Sequence, residues 1–435
     1  MSNTIITGST PVSYKDLHNG KFLLNIAIES LNYSVNTLKS PIETVSGISQ
    51  KFLNEEQING INNAFLSRKI SLKAHVEEVK KQFTTVKDLV GLRRLYRKQQ
   101  SARDHYLRTE QVFDYYVDLL HTRSEKGMGN ILKGCDHLAR SSLRLGLGRL
   151  DIQVPSIVCY LDRGEGASIL KSGIYLWDDQ TNPAAIIKVV RTAVPFPRLT
   201  SILHECGHQA AHMTNWNKEV ADVLYNTIKE SGGSHSLADL WSSWASEIAA
   251  DFWSLHQSNF ASVIGLSEVV TGSSDRVFRV TPGDPHPMAY LRVMTGLTYC
   301  KLFFGVGPWD DFKRIWQNLY PIDASRGESL SIACESLPFL EPICKAVSTT
   351  KMASFLGNSL NQILPAGYSG PNRIKEFLND DLSNFSMNSD IINHPMLALV
   401  SFRMIQMFGG KSHEWITMEM QNWLTRLGSE GGREI

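Results

Sequence analysis

The chain has 435 residues, 42% of them hydrophobic and 20% charged, and a formal net charge of +1. That is the make-up of an ordinary globular protein, too long for one core and expected to form two or three domains. So small a net charge gives no electrostatic argument for nucleic acid or membrane, and no nucleic-acid partner is expected.

No run of about 18 apolar residues occurs, so no membrane span is expected. The segment Met1-Ser2-Asn3-Thr4 lacks the basic stretch and apolar core of a signal peptide. Cys135, Cys159, Cys206, Cys300, Cys334 and Cys344 are scattered without CxxC pairing. That pattern fits reduced, mostly buried thiols in a cytoplasmic protein and does not support a thiolate zinc site.

In chain order, residues 11 to about 148 read as helical. Segments 72–107 and 110–132 carry apolar residues at three- and four-residue spacing, many charges and almost no Pro or Gly. The basic run Arg93-Arg94-Leu95-Tyr96-Arg97-Lys98 alternates with apolar residues and reads as a solvated helix face rather than a binding patch. Gly146 and Gly148 interrupt the pattern, so an N-terminal helical domain 1–148 is expected.

The character then changes. Ser156-Ile157-Val158-Cys159-Tyr160-Leu161 reads as a strand running into the turn Asp162-Arg163-Gly164-Glu165-Gly166. Segment 169–177 is a second strand, 178–183 a turn and 184–191 a third strand. Three short strands in succession suggest a small, mainly antiparallel sheet. Pro195 and Pro197 close this region and open the next helix.

Helix returns at 218–229, breaks at Ser231-Gly232-Gly233-Ser234, and restarts at the capping-box composition Ser236-Leu237-Ala238-Asp239. From about 287 onward helical patterns dominate, with breaks at 305–308, Pro321, Gly327 and 365–371. The expected division is therefore a core of 149–320 and a C-terminal helical region of 321–435. The fold class is α+β, mostly helical.

The helix opened by the prolines carries His204-Glu205-Cys206-Gly207-His208. Residues four apart share a helix face, so both imidazoles can reach one metal ion while Glu205 turns toward the open position. Zinc is the ion such a site holds, with one position kept for water. A third protein ligand is needed. His212 is one turn on, but three ligands from one straight helix cannot converge tetrahedrally, so a second-shell or capping place suits it better.

Trp244-Ala245-Ser246-Glu247-Ile248-Ala249-Ala250-Asp251 offers two carboxylates one turn apart in a mostly apolar stretch. Glu247 would bind zinc and Asp251 would accept the free ring N–H of a ligand His. Two solvated carboxylates are the competing reading. Glu219, Asp222 and Glu230 are nearer in sequence but lie in more polar surroundings.

HExxH followed by ExxxD on a second helix resembles the gluzincin zinc peptidases. The further element His286-Pro287-Met288-Ala289-Tyr290-Leu291-Arg292 makes the order similar to the zinc endopeptidase family that includes the CAAX prenyl endopeptidases. The resemblance covers about 90 residues, from His204 to Arg292. It implies a zincin-like catalytic core with His204, His208 and Glu247 as zinc ligands and Glu205 as general base. Asp251 would support a ligand His, and His286 and Arg292 would line the cleft. Members of that family are membrane-embedded, and nothing here is expected to span a bilayer.

Read on its own chemistry, Pro287 at a first helical turn would leave His286 near the positive end of the helix dipole, suited to an oxyanion. Tyr290, one turn on, would be a second donor. A locally bonded His at a Pro-capped helix start is the plainer alternative, and Arg292 could pair with Asp251 or Asp284 instead of substrate.

The expected function is a zinc-dependent endopeptidase acting on a peptide or protein, with the strand 184–191 as a sheet edge for β-addition. Three rival readings are a catalytically idle zinc-binding interaction protein, a zinc hydrolase of a non-peptide amide, and an accidental HExxH in an all-helical interaction protein.

Overall fold

A computed structural model describes residues 14–45, 47, 50–125, 127–164, 166–176, 181–191, 198–323, 327–378 and 382–430. The expected prolines 195 and 197, Glu165, Trp177 of the expected strand and 178–180 of the expected turn lie outside these residues. The chain is mostly helical with one three-stranded sheet. It divides into two compact units, residues 1–121 with 173–183 and residues 122–172 with 184–435.

The first unit holds α1 (Tyr14–Thr37), α2 (Pro41–Thr44), α3 (Glu55–Phe83) and most of α4 (Leu89–Ser124). A reciprocal cap starts α3: Asn54 Oδ1 accepts from Gln57 N–H at 2.8 Å, and Gln57 Oε1 accepts from Asn54 N–H at 2.7 Å. Lys80 and Lys81 sit in its last turn, where the dipole favours cations. Leu24, Ile28, Leu31 and Val35 recur on one face of α1. They meet Leu72, Val76 and Val79 of α3 and Leu92, Leu95 and Ala102 of α4.

The second unit opens with α5 (Met128–Leu147) and β1 (Ile157–Asp162), β2 (Ser168–Leu170) and β3 (Ala185–Val190). Next come α6 (Thr200–Thr214), α7 (Trp216–Glu230), α8 (His235–Ser243), α9 (Ala245–Val270), α10 (Ser274–Val277), α11 (Ala289–Phe304) and α12 (Pro308–Leu319). The rest is α13 (Glu328–Ser336), α14 (Leu340–Thr349), α15 (Leu360–Ile363), α16 (Pro371–Leu378), α17 (Asp390–Asn393), α18 (Pro395–Phe408) and α19 (His413–Glu430).

One hydrophobic core joins Leu143 of α5, Trp253 of α9, Met396 of α18 and Trp423 of α19. Residues 321–435 therefore share the core of the segments before them. Among the described residues no helix is long and apolar enough to cross a membrane. All six cysteines are free thiols, five of them buried and Cys334 exposed.

The sheet corrects the expectation of a mainly antiparallel arrangement. Its order is β1-β3-β2, with β3 parallel to β1 over six residues and antiparallel to β2 over three. The chain visits the edge as β2, makes the excursion 173–183, and returns between its two predecessors. β3 is buried apart from the partly covered Lys188, as a central strand must be. Strand 184–191 is therefore the middle of the sheet rather than its edge. The strand expected at 169–177 shortens to Ser168–Leu170 because the chain leaves the sheet at Gly173, whose N–H donates to the Asn182 carbonyl at 2.9 Å.

Candidate metal centre

α6 carries the HExxH residues. Ile202, Leu203, Cys206 and Ala210 on its other faces are fully buried, so the helix is wedged into the core rather than laid on the surface. It begins at Thr200 and ends at Asn215, whose φ of 58° is a left-handed value that Asn tolerates. Gly207 lets α9 approach closely. A Cβ there would stand 2.6 Å from Ala250 Cα and 2.9 Å from Trp253 Cβ. This crossing brings Glu247 and Asp251 of α9 against His204 and His208.

The ligand atoms of His204, His208 and Glu247 lie within 4.8 Å of one another. Glu247 Oε1 is 3.1 Å from His208 Nε2, and its Oε2 is 3.4 Å from His204 Nε2. Zinc bonds of about 2.0–2.1 Å at tetrahedral angles put ligand atoms roughly 3.3 Å apart, near the separation of each imidazole from its nearer Glu247 oxygen. The two rings stand edge to face at 86°. A buried group of two imidazoles and one carboxylate that could hold a metal ion is thus present.

The outer partners orient these groups. Asp251 Oδ1 accepts from His204 Nδ1 at 2.9 Å, which leaves Nε2 facing Glu247. Ser246 Oγ lies 3.4 Å from His208 Nδ1. Arg292 of α11 donates from Nε and Nη2 to the two Asp251 oxygens at 2.8 and 2.7 Å, and its Nη2 is 3.2 Å from Glu247 Oε2.

The electrostatics follow from that arrangement. Burial alone would depress the His204 pKa, but the Asp251 and Glu247 carboxylates reverse this and raise it to about 10. Burial opposes ionisation of Glu247 and Asp251. Their partners win: hydrogen bonds from His204 and His208 and the charge of Arg292 at Glu247, and Arg292 and His204 at Asp251, so both stay below the usual carboxylate range. The carboxylates therefore stay ionised beside the imidazoles, which makes the cluster attractive to positive charge.

Glu205 is buried beside the cluster, and its carboxyl is the exception. Burial raises its pKa, only partly offset by His204 and His208, so it is the group there best suited to exchanging a proton. It faces a cavity of about 470 Å³ shared with His204, His208, Glu247 and Asp251. The cavity walls include Ser168 and Ile169 of β2 and Leu255, Val263 and Leu266 of α9. α9 kinks between Leu255 and Val263 at Asn259, where φ is 39°.

The outlying candidates divide. His286 reaches the cavity mouth, with Nε2 3.8 Å from Glu247 Oε1 and Nδ1 2.6 Å from Asp284 Oδ1. Arg292 is inside, turned to the acids. Tyr290 is not brought to the site: it is buried, stacked on Phe278 at 5.0 Å between centroids, and does not line the cavity. The reason is the helix start. α11 begins at Ala289, so Pro287 precedes it and His286 and Tyr290 do not share a helical face. His212 is exposed and outside the cluster. Glu219 instead accepts the N–H groups of Ala353 and Ser354, each at 2.8 Å. Asp222 and Glu230 are exposed.

Two contributors carried no sequence signal beyond adjacency, Ser246 next to Glu247 and Asp284 two residues before His286. No protein-family model, curated protein or solved structure matches this chain.

Proposed function

We propose that the chain is a zinc-dependent endopeptidase of gluzincin type, working in the cytoplasm. The observation that carries this reading is the His204, His208 and Glu247 cluster sharing one cavity with the buried carboxyl of Glu205. A zinc ion held by those three residues would supply a Lewis acid for the scissile carbonyl and lower the pKa of a nearby water.

The protein's own groups do the rest. Glu205 accepts a proton from the attacking water and returns it to the leaving amine nitrogen, a task matched by its raised pKa. Asp251 fixes the His204 tautomer through Nδ1, and Arg292 holds Asp251 with two parallel hydrogen bonds. His286, fixed by Asp284, presents Nε2 at the mouth as a contact for the substrate's backbone.

Among the described residues β2 is an outer strand of the sheet, and its Ser168 and Ile169 line the cavity. An extended peptide would lie along β2, with β3 as support. An idle zinc scaffold would have no use for a carboxyl in the position of Glu205.

Cleavage of a peptide library tests the reading. Wild type should cut it and a zinc chelator should stop it. Glu205→Gln should keep its metal and lose at least about a hundredfold in rate. Equal cleavage by Glu205→Gln would overturn the assignment.

A further inference from the structure

Away from the metal centre, the first unit bears a face that its own core leaves uncovered. Residues 87–103 contain Lys87, Arg93, Arg94, Arg97, Lys98 and Arg103 against a single acid, Asp88. The Asp88 carboxylate is engaged by Gly91 N–H at 2.7 Å. Arg93, Arg94, Arg97, Lys98 and Arg103 are exposed, and among the described residues no ion pair involves them.

α1 lies beside this stretch, running parallel to α4. A Cβ at Gly20 would come within 2.5 Å of Leu92 Cδ2, and Gln99 Nε2 is 3.5 Å from the Ala27 carbonyl oxygen. Both pairs are offset by 72 residues. Arg93, Tyr96 and Arg97 therefore stand level with residues 21 to 25 of α1. There α1 turns its large apolar residues outward: Phe22, Leu23 and Ile26 are 51–66% exposed, and Tyr96 is 50% exposed. The buried face of α1 is Leu24, Ile28, Leu31 and Val35, so these outward residues are surplus to the core.

Unpaired cations beside exposed apolar side chains fit a surface that is both anionic and able to take up hydrocarbon. A nucleic-acid backbone would use the cations and leave Phe22, Leu23 and Ile26 in water. We propose that the α1–α4 face of the first unit docks peripherally on anionic phospholipid. The apolar residues of α1 enter the headgroup boundary and the arginines of α4 meet the lipid phosphates and carboxylates. This is attachment to a surface, independent of the proposed catalytic reading.

Vesicle sedimentation of the full chain tests it. Wild type should pellet with phosphatidylcholine vesicles that contain about one part in three phosphatidylserine, release as salt rises, and stay in solution with pure phosphatidylcholine. Arg93→Gln with Arg97→Gln should weaken binding about twenty-fivefold, at roughly fivefold per charge. Phe22→Ser with Ile26→Ser should weaken it at least about tenfold. All four positions are exposed, so the melting temperature of each double variant serves as the folding control. No binding to the anionic vesicles overturns the proposal, as does binding that both double variants retain. Two other outcomes also overturn it: retention on DNA without retention on vesicles, and dimerisation abolished by Phe22→Ser with Ile26→Ser while vesicles are ignored.

Discussion

Gly207→Ala is the smallest change that should disturb the metal centre without touching a ligand. The new methyl would stand 2.6 Å from Ala250 Cα and 3.0 Å from the Ala250 carbonyl oxygen, both backbone atoms with no rotamer to escape into. Ordinary contact begins near 3.4 Å, so α6 and α9 must part by about 0.8 Å. Glu247 lies one turn before Ala250, and His204 and His208 flank Gly207. The 3.1 and 3.4 Å distances between Glu247 and the two imidazoles would open with the helices.

Overpacking of this kind costs about 1–3 kcal/mol, or a melting temperature lower by roughly 2–10 °C. Zinc affinity should drop about 10–100-fold, as when the surroundings of a ligand are disturbed. Differential scanning fluorimetry and a competitive zinc titration would read both. Gly60→Ala is the control. Gly60 lies inside α3 with nothing within 4 Å of its Cβ position, so the substitution should raise stability by about 0.5–1 kcal/mol. Wild-type melting and zinc affinity in Gly207→Ala would contradict the close crossing of α6 and α9.

Three further outcomes follow from the same structure. His256 is buried, donates from Nδ1 to the Leu364 carbonyl at 2.7 Å and accepts from Ser348 Oγ at 3.0 Å, and burial lowers its pKa to about 4. The unfolded chain gains this proton below about pH 6.5 and the folded chain only near 4, so about 3 kcal/mol present above pH 6.5 is lost across that window. Thermal melts should show His256→Gln losing that much less on acidification, and parallel pH profiles would sink the claim. Arg292→Ala leaves the buried Asp251 and Glu247 carboxylates facing each other and should cost about 3–5 kcal/mol, with Arg292→Lys restoring only part because it lacks the fork; melting curves decide. Ile169→Pro in the outer strand β2 should raise KM with little change in kcat, and unaltered kinetics would remove β2 from substrate binding.

The grouping of His204, His208 and Glu247 was legible because its spacing is local. Helical periodicity puts His204 beside His208 and Glu247 beside Asp251, and only the crossing at Gly207 had to be supplied by the fold. Arg292 could be placed near an acid but not assigned to one, since its partner is 41 residues away on another helix. Tyr290 failed for a short-range reason: a helix start two residues later than Pro287 suggests turns the side chain into the core. The sheet failed for a long-range one. Three strands of the same composition fit several orders, and composition does not say that β3 pairs with both of its predecessors. The basic run in α4 is exposed, as a helix face should be, and the binding patch set aside on the sequence is what the proposed docking face takes up. The apolar residues level with it on α1 lie some 70 positions earlier in the sequence and become its neighbours only through packing.

Metal analysis of the purified protein beside Glu247→Ala and Glu205→Gln tests the centre most directly. Wild type and Glu205→Gln should each carry one equivalent of zinc, and Glu247→Ala should carry almost none. Wild type without zinc, or Glu247→Ala with a full equivalent, would contradict the three-residue site.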